Sequence, residues 1–139
     1  MTDAQDNKAE ALKKRTKQLA LRTIRVLRSL PPGPEGRIIG HQLLRSAISV
    51  AANYRAVCRA RSRAEFLAKL SIVIEEADES AFWLELLVDA GLISESKLKD
   101  LKSEANQLVA IFNASRTTAR KNSQSTTSNQ KSAIPAKVA

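Results

Sequence analysis

Few residues of this 139-residue chain could do chemistry, and those few do not converge. His41 is the only histidine and Cys58 the only cysteine. A zinc or catalytic centre needs several ligands, or a nucleophile with its base, at defined spacing. Neither residue has such partners. His41 falls on the polar side of a helical pattern, where a solvated imidazole is expected. Cys58 falls on an apolar side, where a free thiol behaves as a small hydrophobe, although the arginines around it could lower its pKa. Glu75, Glu76, Asp78 and Glu79 crowd one stretch. A metal site inside a bundle requires inward carboxylates with Glu-x-x-His pairs. These acids avoid the apolar stripe and have no histidine beside them. They read as a solvated face or as partners for basic side chains of another subunit. Gly33-Pro34-Glu35-Gly36 lacks the Lys and Ser/Thr of a phosphate-cradling loop. No enzyme, metal centre or cofactor is expected.

What the chain does carry is segregated charge. The net charge is +9, from 23 Lys+Arg against 14 Asp+Glu. Residues 1–63 hold 14 of the basic and 4 of the acidic side chains, and residues 64–104 hold 4 and 10. Residues 105–139 hold 5 basic and no acidic ones. No acid lies between Gly36 and Ala64, so Arg55, Arg59, Arg61 and Arg63 lack local neutralisation. A basic face and an acidic face on one subunit can attract polyanions and also other copies of the chain.

The elements that position these residues are helices. Gly is scarce, and Ala, Leu, Arg, Lys and Glu dominate, a composition of all-α folds. A first helix is expected over about 8–30, with Leu12, Thr16, Leu19, Thr23, Val26, Leu27 and Leu30 on one arc. Lys14, Lys17, Arg25 and Arg28 lie on the opposite arc. The proline-rich run from Pro31 to Pro34 ends it. A second helix, about 35–58, has Ile39, Leu43, Leu44, Ala47, Val50, Ala51, Tyr54, Val57 and Cys58 on its apolar face, and its small residues permit close approach of a neighbour. A third, about 63–90, starts at a Ser62/Glu65 capping box and stops at Gly91. Its core stripe includes Phe66, Leu70, Val73, Ala77 and Leu84. A fourth, about 95–120, begins after Ser94 and continues through Leu98, Leu101, Ala105, Leu108 and Phe112. Residues 1–7 are expected to be flexible and 121–139 to form a disordered polar tail. Short loops imply an up-down-up-down antiparallel four-helix bundle.

Ile72, Phe82, Trp83 and Leu86 fall outside the core stripe of the third helix, interleaved with Glu75 and Glu79. A lone bundle leaves such side chains exposed, and a clustered apolar patch marks an interface. No apolar run approaches the ~20 residues that span a bilayer, and no apolar signal segment opens the chain. A cytoplasmic protein without membrane contact is the expectation.

RSAISVAANYRA from Arg45 to Ala56 and SRAEFLAKLSIVIEEADESAFWLELLVDAGLIS from Ser62 to Ser94 resemble the four-helix bundle proteins, some of which are encoded in intervening sequences of 23S ribosomal RNA genes. Arg45-Ser46, Ser49 and Asn53 keep that family's small polar pattern. Phe66, Lys69-Leu70, Glu76, Glu79 and Trp83-Leu84 keep its other signature. After Asn53 an apolar–Ala–Glu–Gly run is replaced by Tyr54, Arg55, Ala56 and Val57. The resemblance implies a left-handed bundle that assembles as a ring, commonly a homopentamer. Related accessory proteins of diversity-generating retroelements bind nucleic acid and a reverse transcriptase.

Two functions fit. In one, a pentameric, non-enzymatic bundle binds the RNA or DNA backbone as a scaffold or accessory factor, through Lys14, Lys17, Arg25, Arg28, Arg55, Arg59, Arg61 and Arg63. In the other, those cations serve only self-assembly and protein partners. The candidate oligomer interface is Ile72, Glu75, Glu79, Phe82, Trp83 and Leu86.

Overall fold

The computed structural model describes residues 2–138, with side chains described as far as Asn122. Four helices follow one another: α1 (Asp3–Arg28), α2 (Pro34–Cys58), α3 (Arg63–Asp89) and α4 (Glu95–Val138). α2 packs against both α1 and α3, α3 against α4, and α1 more sparsely against α4. Contacts far apart in sequence run antiparallel, with Ser46 opposite Ser80 and Ser71 opposite Arg116. The chain is therefore an all-α, up-down-up-down four-helix bundle.

The helix ends are written in the sequence. Thr2 accepts from the Gln5 N–H at 3.2 Å, and the Gln5 side chain accepts from the Thr2 N–H at 3.0 Å. This capping box starts α1 at Asp3, ahead of the start expected near residue 8. Pro34 occupies the first turn of α2, where its missing N–H costs nothing. Ser62 caps α3 as its spacing predicts, accepting from the Glu65 N–H at 3.0 Å. The Glu65 carboxylate, however, reaches the N–H of Arg61 and not that of Ser62. Gly91 ends α3 with φ +73°, while Leu92 N–H bonds the Leu87 carbonyl and Gly91 N–H that of Val88. This is a Schellman motif. Ser94 contributes its carbonyl to Lys97 N–H, and its hydroxyl meets that of Ser96 instead of capping α4. The α4 backbone stays helical to Val138, past the end expected near residue 120. Loss of apolar spacing removes a packing face, but no residue between 121 and 134 is a Pro or Gly breaker. The disorder expected for 121–139 falls, but for Lys121 and Asn122, outside the residues whose side chains are described.

The core follows the predicted stripes, including Leu19, Leu43, Val50, Leu70, Leu84, Leu108 and Phe112. Thr16 and Thr23 are also fully buried, each returning its hydroxyl to the carbonyl one turn back, Leu12 at 2.9 Å and Leu19 at 2.8 Å. Tyr54 and Phe112 meet across the interior with ring centroids 5.1 Å apart. Removing the Phe112 ring leaves a void at this crossing. The Phe112→Ala variant is expected to lose about 3–5 kcal/mol of stability in urea unfolding, with the helical signal retained below the transition.

Candidate nucleic-acid and assembly surfaces

The helix seams sort the charged side chains into two populations. Arg15 on α1 grips Glu104 on α4, with Nε at 3.1 Å from Oε2, and also reaches Gln107 at 3.2 Å. Arg45 on α2 grips both Glu76, at 3.3 and 3.4 Å, and Glu79 on α3. The Trp83 indole N–H donates to Glu79 from one turn on, at 3.0 Å. Arg116 on α4 lies 3.4 Å from the Ser71 hydroxyl and bonds Asn113 at 2.9 Å. These cations are fastened to their own bundle.

The other population is free. Lys14, Lys17, Arg25 and Arg28 are exposed along the outer arc of α1. Arg55, Arg59, Arg61 and Arg63 are exposed at the end of the bundle where α2 turns into α3. None of these eight side chains is in an ion pair among the described residues. Arg37 is equally exposed and unpaired and was not among the predicted residues. It lies in the same acid-free run, Gly36 to Ala64, which was the signal that could have found it. In the antiparallel α1–α2 pair, with Gly40 against Leu27 and Leu30, Arg37 belongs to the Arg25/Arg28 end and Arg55 to the Lys14 end.

The predicted interface residues divide. Ile72 is 42% exposed and Phe82 51%. Glu75 is exposed and unpaired. Trp83 and Leu86 are half-buried instead, and Trp83 packs against the core while its N–H is held by Glu79. Glu79 pairs with Arg45 of its own chain. Sequence reading also missed Ile38, 64% exposed, and Ile48, 46% exposed. Both stand on α2, where they had been neither core nor signature residues. With Ser46 opposite Ser80, Ile38 lies level with the Leu86 end of α3.

His41 is exposed, and Cys58 is half-buried rather than fully buried. Among the described residues, no three His, Cys, Asp or Glu side chains come together as a metal cage. Nor is any helix of the described residues long and apolar enough to cross a membrane.

The clamp has opposite effects on its two acids. Burial pushes the Glu76 carboxyl up, against the pull of Arg45. The Arg45 hydrogen bond, with Trp83 adding to it, holds Glu79 below the usual carboxylate range. A lowered carboxylate stabilises the fold above its unfolded pKa and loses that contribution as pH falls through the folded value. A raised one does the reverse, relieving a cost when it is protonated. Arg45→Met takes the counter-charge from both. Its melting temperature is expected to fall below wild type at pH 7, with the gap closing by pH 3, where neither acid needs a partner. A gap independent of pH would show that Arg45 acts through packing alone.

A profile described as 23S rRNA-intervening sequence protein matches residues 8–114. Among solved structures, a protein of unknown function from the S23 ribosomal protein family of Bacteroides thetaiotaomicron superposes with a TM-score of 0.70 at 28% identity. The alignment covers 76% of this chain and 97% of that one. No curated protein matches.

Proposed function

The chain belongs to the family of 23S rRNA-intervening sequence proteins, and from that premise we propose that it is a non-enzymatic bundle that binds the backbone of RNA or DNA. It acts in the cytoplasm as a scaffold or accessory factor, a reverse transcriptase being one kind of enzyme it could serve. One observation carries this reading. The fold pairs Arg15, Arg45 and Lys69 with its own acids, yet leaves the eight cations from Lys14 to Arg63 exposed and unpaired. Phosphates neutralise such side chains with release of counterions, without reading sequence. No exposed aromatic stands beside the arginines of the α2–α3 turn as a base platform: the exposed aromatic is Phe82, far along α3. Contacts are therefore to the backbone.

The arginines at the α2–α3 turn form the densest part of the surface. Reversing Arg59, Arg61 and Arg63 to Glu is expected to weaken binding of mixed-sequence RNA at 50 mM salt by at least about tenfold, the order of three lost phosphate contacts. Reversing Lys97, Lys99 and Lys102 of α4 to Glu changes net charge by the same amount and should have a smaller effect. Equal losses in a filter-binding or anisotropy titration would mean that only total charge matters.

Self-association is the second part of the proposal. Copies of the chain join through Ile72 and Phe82 of α3 together with Ile38 and Ile48 of α2, and a pentamer is the assembly the resemblance implies. Repetition of one weak phosphate-binding surface around a ring raises its avidity. If the basic surface served assembly alone, its cations would be covered by a neighbour's Glu75 and Asp78, both exposed and unpaired. The Phe82→Asp/Ile38→Asp variant is expected to give a smaller species than wild type in multi-angle light scattering, with unchanged helicity. A wild type that elutes as a monomer would rule out assembly.

A further inference from the structure

The bundle is open at the end where α2 turns into α3. A cavity of about 630 Å³ lies there between the first turns of α1, the last turn of α2, the start of α3 and α4 around Phe112 to Ala119. That volume is within the range of small-molecule sites. Its floor is apolar and buried: Leu12, Tyr54, Val57 and Phe112. Its walls are the half-buried Cys58 and Phe66. Its rim is cationic, with Lys8, Arg61 and Arg63 all lining it and all exposed. No carboxylate is among its lining residues.

Tyr54, 7% exposed, sets its ring centroid 5.1 Å from that of Phe112 at this end of the core. Nothing in the bundle's packing requires this void. Elsewhere along the core, Leu19, Leu43, Leu84 and Leu108 are wholly enclosed.

We propose that this cavity binds a small amphiphilic anion, an acyl chain seated between Tyr54, Cys58 and Phe66 with its carboxylate against Arg61 and Arg63. The apolar floor gains from burying methylenes, about 0.8 kcal/mol for each. The rim selects the head by charge, because the charged side chains that line it are all cations. An alcohol forgoes the head contact, and a quaternary ammonium is repelled. This inference does not depend on the binding of nucleic acid, since its readout is a single thiol in the absence of RNA.

Cys58 is the reporter, being the sole cysteine and part of the cavity wall. Its alkylation by a maleimide is followed in the full-length protein with decanoate, 1-decanol or decyltrimethylammonium, all below micelle-forming concentrations. Decanoate is expected to slow the reaction about tenfold at ten times its dissociation constant, and more effectively than the other two. Arg61→Ala/Arg63→Ala, at exposed positions that the fold does not use, should weaken that protection roughly three- to tenfold, as two solvent-accessible ion pairs would. Alkylation unchanged by decanoate overturns the proposal. Equal protection by decanol or the ammonium overturns the anionic head. Protection by an acidic peptide with a leucine anchor, but not by decanoate, assigns the cavity to a protein partner instead.

Discussion

The seam between α2 and α3 sets the terms for the rest of the bundle. Ser46 and Ser80 are both fully buried, and their hydroxyls meet at 2.9 Å. With one proton each, one hydroxyl donates across the seam while the other donates to a carbonyl of its own helix, Leu43 at 3.0 Å for Ser46 or Glu76 at 2.9 Å for Ser80. Two small polar residues let the helices approach closely without leaving a buried oxygen unpaired. At the edge of the same contact Arg45 reaches Glu76 and Glu79, and Glu79 holds the Trp83 indole. A slip of one turn along the seam would separate the serines and break the clamp together. Polar contacts here specify register, while the leucines on either side supply the burial.

That seam also decides which charges remain for other work. Residues 64–104 are acidic and residues 1–63 basic, so the helices attract one another across the bundle. The attraction is used at a few defined places: Arg15 with Glu104, and Arg45 with Glu76 and Glu79. The outer arc of α1 and the α2–α3 turn keep their cations in solvent. Surface pairs of this kind contribute little stability each. Their larger effect is to satisfy Glu76, Glu79 and Glu104 within the bundle, while Glu75 and Asp78 of α3 and the cations of α1 and the α2–α3 turn stay in solvent.

The parts of this arrangement that repeat with helical period were readable from the sequence. The stripes through Leu12–Leu19–Thr23, Leu43–Val50–Val57, Leu70–Ala77–Leu84 and Leu98–Leu108–Phe112 are buried as predicted. Single-residue signals were read unevenly. The left-handed glycine at 91 is there, but the Thr2–Gln5 box was overlooked because polar composition suggested a flexible end. Ser46 stood only within a small polar pattern and Ser80 carried no signal, since a buried serine differs from a solvated one only in what stands opposite it. The same holds for Arg45. Its type and position were plain, and its partners lie more than thirty residues away, visible only once the register of two helices is known. Trp83 was read as exposed from its angular position. A large ring can lie sideways along a seam, and this one does so with its N–H tethered. The cavity beneath the α2–α3 turn has no periodic signature at all, because four separate segments form it.

The central claim is that cations left unpaired by the fold are there to meet phosphate. Its most direct measurement is the dependence of affinity for mixed-sequence RNA on salt, from 50 to 200 mM, using the full-length protein. If about six of the eight cations engage phosphate, log affinity should fall against log salt with a slope of about −4 to −5 for either single or double strands. A slope near zero, with or without measurable binding, would contradict the claim.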